Sequence, residues 1–242
     1  MQLTDFEALS FDCYGTLIDW ETGMFEALQP LVSRAGRRLM RDDVLEAHAR
    51  HESAQQTATP ARPYRELLAV VYKRLAEEWG VATSWDDCLA YGRSVRDWPP
   101  FEDSREALRH LKKHYKLVIL SNVDNDSFSF SNEKLGVDFD AIYTAEDIGS
   151  YKPSPRNFHY MLDKLDARGI RREAILHTAE SLFHDLEPAA ELGLASCWIH
   201  RRHAQGGFGA TMQPGTTPRH DFRFTSLAEL AEAHRKAVDA SA

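Results

Sequence analysis

Short apolar runs alternate with helical patterns over most of the chain, and this alternation predicts its architecture. The first apolar run ends at Asp12, and four more resemble buried strands over residues 116–121, 141–144, 174–178 and 195–199. Apolar residues at helix spacing predict the helices between them, over residues 104–114, 128–135, 156–165 and 182–192, and a final helix from Ser226. Strands that alternate with helices predict an α/β fold: a doubly wound parallel sheet with helices on both faces.

The segment from residue 20 to residue 98 interrupts this alternation. Its apolar positions recur at helix spacing, and it contains no clear strand pattern. Four helices are predicted in it, the third ending at Gly80 and the fourth running from Ser84 to Trp98, before Pro99. We therefore expect a helical cap at residues 20–98, inserted into a core formed by residues 1–19 and 99–242.

Composition and charge restrict the partners of the protein. The 242 residues carry a formal charge of -8 without a block of Lys or Arg, which argues against nucleic acid or an anionic membrane surface as a partner. No apolar stretch is long enough to span a bilayer, and the N-terminus lacks the pattern of a signal peptide. Three widely spaced cysteines, at positions 13, 88 and 197, fit a reducing compartment. We expect a cytoplasmic protein, and the sequence is compatible with a homodimer.

Asp12 stands at the carboxyl end of the first apolar run, and Gly15 follows shortly after it. Side chains at the carboxyl ends of parallel strands face the ligand crevice, and Gly15 lets the chain turn sharply there. Asp12 is therefore placed to act as a carboxylate nucleophile that forms an ester or an acyl phosphate. An Asp that only caps the following turn explains this short segment equally well.

Two further segments carry polar residues that suit the same edge. Ser121 and Asn122 end the second apolar run, where they can hydrogen-bond a carboxylate or phosphate or simply start a turn. Lys152 precedes Pro153, which is expected to begin a helix. An ammonium group at this turn would neutralise and orient Asp12, although most lysines are solvated surface charges.

A fourth polar segment follows the strand at residues 174–178. It contains the carboxyl groups of Glu180 and Asp185, together with His184. His184 is a candidate base because histidine titrates near neutral pH, although a lone histidine is more often structural. Glu21, just past the first strand, could orient His184 and raise its pKa if the two side chains approach each other.

Together, the segments at residues 8–18, 117–122, 151–153 and 178–185 resemble the four motifs of the haloacid dehalogenase superfamily, in order and spacing. The resemblance implies a Rossmann-like core, a nucleophile at Asp12, and Lys152 and Thr16 as the groups that hold it. Phosphatases of the superfamily have a second Asp two residues after the nucleophile, which protonates the leaving alcohol. Tyr14 occupies that position here, as is typical of the 2-haloacid dehalogenase branch, whose halide leaving group needs no proton.

The same resemblance implies the roles of other residues. Ser121, Asn122 and the amides that follow Asp12, at Cys13 and Tyr14, would hold the substrate carboxylate. Asp185 would assist the water that hydrolyses the ester. The combination of His184 with Glu21 resembles the His–Glu pair with which a subset of these enzymes activates water.

The cap departs from the pattern of this branch. Well-studied dehalogenases use a cap arginine to receive the halide or carboxylate, and Arg50 is the nearest candidate here. His48 and His51 are alternatives, and a solvated helix face is the simplest explanation of the segment. In addition, Phe158 and Glu180 stand where this branch has a tyrosine and a serine.

These features predict a hydrolase that dehalogenates a small 2-haloalkanoic acid through an ester on Asp12, without a metal or organic cofactor. One alternative is a magnesium-dependent phosphatase, which Glu180 and Asp185 favour weakly and Tyr14 disfavours. The other alternative is a non-catalytic protein that has kept the fold. Such a protein has no need of Asp12, Lys152 and Asp185 together.

Overall fold

A computed structural model describes residues 1–241 and contains a six-stranded sheet. In chain order the strands are β1 (Ala8–Phe11), β2 (Lys116–Ser121), β3 (Ala141–Thr144), β4 (Ile175–Ala179), β5 (Ala195–Ile199) and β6 (Phe222–Phe224). Neighbouring strands are parallel throughout, in the spatial order β3-β2-β1-β4-β5-β6. This is the order of a doubly wound sheet, so the predicted α/β fold is confirmed.

The central strand β1 explains the position of Asp12. All four residues of β1 are buried, as expected for a strand covered by helices on both faces. Asp12 follows at the carboxyl edge of the sheet, where its amide donates to Thr178 O on β4 (3.1 Å). Gly15 then turns the chain with a φ of +95°, a conformation that side chains with a Cβ rarely adopt.

Helices occupy the segment predicted as a cap. They are α1 (Trp20–Val32), α2 (Arg41–Ala58), α3 (Tyr64–Glu78) and α4 (Trp85–Arg93), followed by a 3-10 helix at Ser94–Asp97. The carboxylate of Asp19 caps α1 by accepting from Thr22 N (3.2 Å). Asp19 N donates to Pro99 O (2.8 Å), so the chain enters and leaves this segment along neighbouring paths. The division into cap and core stays a prediction.

The remaining helices surround the sheet. They are α5 (Ser104–Leu111), α6 (Asn125–Leu135), α7 (Ala145–Ile148), α8 (Pro155–Asp166), α9 (Glu187–Glu191) and α10 (Leu227–Ser241). Within residues 1–241, none of the helices combines the length and apolar character needed to cross a membrane.

Several predicted boundaries were wrong for local reasons. The expected helix at 182–192 is a π-helical turn, Leu182–Leu186, followed by α9. The expected fourth helix ends early, because a 3-10 helix replaces its last turn. Helix α8 begins at Pro155, one residue before the expected 156–165, and Pro153 precedes the helix rather than beginning it. Strand β6 was missed because it is three residues long and not fully buried, so no apolar run marks it.

Candidate active site

The carboxylate of Asp12 is held by two side chains from different parts of the chain. Thr16 Oγ1 donates to Asp12 Oδ2 (2.7 Å), and Lys152 Nζ donates to Asp12 Oδ1 (3.0 Å). The turn at Gly15 brings Thr16 back over Asp12, while Lys152 comes from the loop before α8. The structure thus brings Thr16 and Lys152 to the carboxylate of Asp12, the predicted nucleophile.

Lys152 lies fully inside the protein and uses all three of its donors. Besides Asp12, its ammonium group contacts Asp185 Oδ1 (2.7 Å) and Leu120 O (2.9 Å). Burial alone would lower the pKa of Lys152, but the two carboxylates outweigh it and hold the pKa above its ordinary value. Lys152 is therefore a permanent cation between two acids.

Burial acts differently on the two acids that share this lysine. It raises the pKa of Asp12 above the ordinary value, in spite of the opposing effect of Lys152. It also pushes the pKa of Asp185 upward, but Lys152 and a hydrogen bond from His177 outweigh it and hold that pKa below the ordinary value. Asp185 is thus the more firmly ionised of the two, and a poor proton acceptor.

His177 is a site residue that the sequence reasoning missed. Its Nε2 lies 2.9 Å from Asp185 Oδ1, and its Nδ1 lies 2.9 Å from Ser10 Oγ. With Nε2–H donating to the carboxylate, Nδ1 can accept from the serine hydroxyl, so both ring nitrogens are satisfied. The sequence feature that could have identified it is a polar residue inside the buried strand β4. His177 fixes Asp185 through Oδ1, and Asp185 Oδ2 stays buried without a partner among the described residues.

The predicted contact between Glu21 and His184 is wrong. Glu21 instead pairs with Arg202 through Oε2 and accepts from Ala210 N (3.0 Å) through Oε1. A buried guanidinium requires a carboxylate partner, and Arg202, with a side chain only 8% exposed, is such a group. Glu21 therefore anchors the loop between β5 and β6, a partnership that spans too much sequence to be read from the chain.

Ser181 and Thr211 occupy the place that Glu21 was expected to take beside His184. Ser181 Oγ accepts from His184 N (3.0 Å), contacts His184 Nδ1 (3.2 Å) and lies 3.0 Å from Thr211 Oγ1. We assign the ring proton to Nδ1, because Ser181 can then accept both bonds from His184 and donate to Thr211. His184 Nε2 is left buried and unpartnered within residues 1–241, with its lone pair available.

The pKa of His184 is also opposite to the expectation. Burial lowers it below the ordinary value, and Asp185 offsets only part of that effect. The imidazole is therefore neutral at neutral pH, which is the form that accepts a proton.

The groups expected to hold a substrate carboxylate divide into two sets. Ser121 Oγ is buried and has no partner within residues 1–241, and the amides of Cys13 and Tyr14 donate to no other described residue. Asn122, in contrast, bonds the backbone of Lys152 on both sides, through Oδ1 (2.7 Å) and Nδ2 (2.9 Å). Asn122 lines the site but primarily supports the lysine loop.

Tyr14 does not direct its hydroxyl at the nucleophile. The hydroxyl contacts Ser131 Oγ (2.8 Å) in α6, and the ring meets Trp98 edge-on, with centroids 5.7 Å apart. At the position where phosphatases of the superfamily have an acid, this chain thus has an aromatic side chain that lines the cavity.

The expected role of Arg50 is wrong. Its side chain is 57% exposed and pairs with Glu78 Oε1 (3.1 Å), and His51 also contacts Glu78 (2.6 Å). The opposite face of α2 is buried and presents Glu52 and Gln56, one helical turn apart, to the cavity above Asp12. Helix α2 thus contributes a carboxyl group at the place where the resemblance predicts an arginine.

The cavity that these residues enclose has a volume of about 30 Å³, room for roughly two water molecules. Its lining combines side chains from α2 and α3 with those from the edge of the sheet: Asp12, Tyr14, Trp20, Glu52, Gln56, Tyr64, Asn122, Val123, Lys152, Ser181, His184 and Asp185. The free space beside Asp12 is therefore small and is bounded by side chains from both α2 and the edge of the sheet.

The residues offer a magnesium ion few oxygen ligands without a hydrogen-bond partner. Mg²⁺ prefers an octahedral shell of oxygen ligands; both Asp12 oxygens and Asp185 Oδ1 accept hydrogen bonds, and of the four oxygens only Asp185 Oδ2 has no partner within residues 1–241. Glu180 lines a neighbouring pocket rather than this cavity. Burial, followed by the charges of Glu21 and Asp12, raises the pKa of Glu180 to about 8, so its carboxyl group is protonated at neutral pH.

Comparison with known proteins agrees with the fold. The family model of haloacid dehalogenase-like hydrolases matches residues 6–193. A defluorinating L-2-haloacid dehalogenase has a TM-score of 0.76 at 21% identity, covering 97% of this chain and 98% of that chain. No curated protein sequence matches the chain significantly.

Two other solved structures resemble the chain to a similar degree. The L-2-haloacid dehalogenase of Xanthobacter autotrophicus, solved with chloropropionic acid covalently bound, has a TM-score of 0.76 at 18% identity, covering 95% and 98% of the two chains. A putative hydrolase of Bacillus subtilis bound to magnesium has a TM-score of 0.73 at 19% identity, covering 94% and 97%. At these identities the likeness concerns the fold.

Proposed function

The chain belongs to the haloacid dehalogenase-like hydrolase family, and from that premise we propose that it dehalogenates a small 2-haloalkanoic acid through an ester on Asp12. The observation that carries the proposal is the pairing of Asp12 with Lys152 and Thr16 beneath Tyr14. Asp12 supplies a buried carboxylate, and Tyr14 occupies the motif position of the acid with which phosphatases of the superfamily protonate the leaving alcohol. The solved dehalogenases with the same fold support this choice of leaving group.

In the first step, a carboxylate oxygen of Asp12 attacks the carbon that bears the halogen. The new C–O bond forms as the carbon–halogen bond breaks, and the halide leaves with the bonding electron pair. Lys152 and Thr16 fix the orientation of the carboxylate, and such preorganisation lowers the entropic part of the barrier. Ser121 Oγ and the amides of Cys13 and Tyr14 would receive the substrate carboxylate, since these donors have no other partner within residues 1–241.

In the second step, water attacks the carboxyl carbon of the ester, and the 2-hydroxy acid leaves while Asp12 regenerates. His184 Nε2 would take the proton from this water, because it is buried, unpartnered and neutral, and would return it to the substrate oxygen as the ester C–O bond breaks. Lys152 and His177 hold the pKa of Asp185 below its ordinary value, which makes Asp185 a poor proton acceptor. Asp185 would instead keep Lys152 in place and accept a hydrogen bond through Oδ2.

Removing the imidazole should separate the two steps. We expect His184→Ala to slow ester hydrolysis by about 100-fold or more, the usual contribution of a general base, while ester formation stays near the wild-type rate. Intact-protein mass spectrometry after mixing with 2-chloropropionate should then show a covalent adduct. His159→Ala, which removes an exposed histidine on α8, is the matched control. Normal turnover of His184→Ala without an adduct would leave Asp185 as the base.

The leaving group distinguishes the proposal from the phosphatase alternative. We expect halide release from chloroacetate or 2-chloropropionate to continue at the same rate after exhaustive EDTA treatment, because neither step needs a Lewis acid. Phosphate release from small phosphate esters should stay at background with or without magnesium. Phosphatase activity that appears only with magnesium would replace the proposed reaction with phosphoryl transfer.

Glu52 places a carboxyl group on the side of the cavity opposite the sheet, and this group should orient the substrate. A carboxylate on the cap side repels the substrate carboxylate and directs it toward Ser121 and the amides at the edge of the sheet. Removal of a like charge at short range should lower KM for 2-chloropropionate by about tenfold in Glu52→Gln, with little change in kcat. Glu78→Gln, which alters the exposed partner of Arg50, is the control. A higher KM in Glu52→Gln would mean that the carboxylate binds the substrate directly.

A further inference from the structure

Three histidines meet at the contact between α5 and α10, away from Asp12. His110 lies in α5, His114 lies in the turn that follows it, and His234 lies in α10. One ligand atom of each lies within 4.8 Å of the others, and His110 Nε2 is 3.0 Å from His234 Nδ1. Within residues 1–241, this is the single group of three or more His, Cys, Asp or Glu side chains whose donor atoms are so close.

We propose that these three histidines form a binding site for a divalent transition-metal ion, and that Zn²⁺ is the ion that suits the site best. Imidazole nitrogens are preferred ligands of Zn²⁺, at distances of about 2.0–2.1 Å in a tetrahedral arrangement. His110 Nε2 and His234 Nδ1 are joined by a hydrogen bond at 3.0 Å, which is near the roughly 3.3–3.4 Å between neighbouring ligands of a tetrahedral ion at those distances. His114 is exposed, so its ring can turn inward without disturbing the core.

The spacing of the residues suits a metal site on a helix surface. His110 and His114 are four residues apart, and His114 N donates to Leu111 O (2.9 Å), so the helical turn continues far enough to bring both rings to one face. Their ring centroids are 5.1 Å apart, and those of His114 and His234 are 4.7 Å apart. His234 is buried and packs against the ring of Tyr115, at 4.9 Å between centroids.

The hydrogen bond within the cluster shows how its ring nitrogens are used without a metal. One of the two atoms His110 Nε2 and His234 Nδ1 carries the hydrogen that the other accepts. A metal that binds both atoms requires this hydrogen to move to the other nitrogen of the same ring, which is the second neutral tautomer of imidazole. Two cations, Arg235 and Lys113, lie nearby, but Arg235 pairs with Glu232 (3.3 Å) and Lys113 is exposed.

The location indicates a structural role for the ion rather than a catalytic one. His114 comes just before β2, at the amino edge of the sheet, whereas Asp12 follows β1 at the carboxyl edge. The ion would connect α5 to α10. With three protein ligands, a fourth position would be open to water on the exposed side.

Zinc titration of the metal-stripped full chain tests the proposal. Isothermal calorimetry should show one Zn²⁺ per chain, and zinc at about 100 times its Kd should raise Tm by several degrees. His114→Ala and His110→Ala should each weaken binding at least tenfold and reduce the Tm shift at the same zinc concentration to about half or less, and His159→Ala should bind like the wild type. X-ray absorption of the zinc complex should show three histidine nitrogens in the wild type and fewer in His114→Ala.

Dehalogenase activity serves as an independent readout. Halide release by His114→Ala should equal that of the wild type, because the cluster lies at the opposite edge of the sheet from Asp12. A zinc affinity that is unchanged in both His114→Ala and His110→Ala would overturn the proposal, and so would the absence of any zinc-dependent Tm shift in the wild type. Because His114 is exposed, its variant is expected to fold, so lost binding reports on the site itself.

Discussion

Asp12→Asn should reduce halide release by roughly 10⁴-fold or more, the scale seen when a nucleophile is removed. An amide is a very poor nucleophile, so no ester can form. The fold should persist, because Asn retains an oxygen that can accept the hydrogen bond from Thr16 or Lys152. Steady-state halide release and far-UV circular dichroism of the same preparation measure both expectations.

Asp19→Asn provides the matched control for this substitution. Asp19 lies close by in sequence and caps α1 by accepting from Thr22 N, and Asn is an equally good helix cap. This variant should retain full activity. Near-native turnover of Asp12→Asn would rule out covalent catalysis by Asp12, whatever the behaviour of the control.

Lys152→Met should remove both activity and a large part of the stability. The change leaves the carboxylates of Asp12 and Asp185 buried without their shared cation. Breaking a buried ion pair by removing one partner typically costs about 3–5 kcal/mol. Urea unfolding should report this loss at pH 8, whereas Lys116→Met, which removes a lysine that is 63% exposed, should change stability little.

The pH dependence of this loss has a definite sign. In the wild type, the pKa of Asp185 is lowered from 3.8, so its contribution to stability is present above that value and is lost as the pH falls through the folded-state pKa. Without Lys152, burial should raise the pKa of both carboxyl groups. Both groups then become protonated in mild acid, which removes the buried negative charges that destabilise the variant. The stability difference between Lys152→Met and wild type should therefore shrink from pH 8 to pH 5. A difference that does not change with pH would mean that lost packing, and not unpaired charge, causes the destabilisation.

Sequence patterns predicted the sheet well because its strands are buried on both faces. Strands β2, β3 and β5 have the predicted bounds, since continuous apolar runs mark them. Asp12 could be placed because the carboxyl ends of parallel strands face one edge of the sheet. Lys152 and Thr16 were placed beside it by the resemblance of their segments to the motifs of the haloacid dehalogenase superfamily.

The errors concern contacts between residues far apart in sequence. Glu21 was paired with the wrong partner because Arg202, in a loop without periodic pattern, competes for it. Arg50 was chosen by position along α2, whereas the rotation of α2 decides that Glu52 faces Asp12. His177 was overlooked because a strand pattern does not distinguish a histidine that only packs in the core from one that hydrogen-bonds Asp185. Helix rotation and loop packing are tertiary properties, so local periodicity alone does not determine them.

One isotope measurement tests the ester on Asp12 most directly. Wild-type protein in excess over 2-chloropropionate would be allowed a single turnover in H₂¹⁸O, and the peptide containing Asp12 would be analysed by mass spectrometry. Attack of water on the carboxyl carbon of the ester predicts one ¹⁸O in the Asp12 side chain and unlabelled oxygen in the 2-hydroxy acid. Label in the hydroxy acid and none in Asp12 would show that water attacks the substrate directly and would contradict the proposed mechanism.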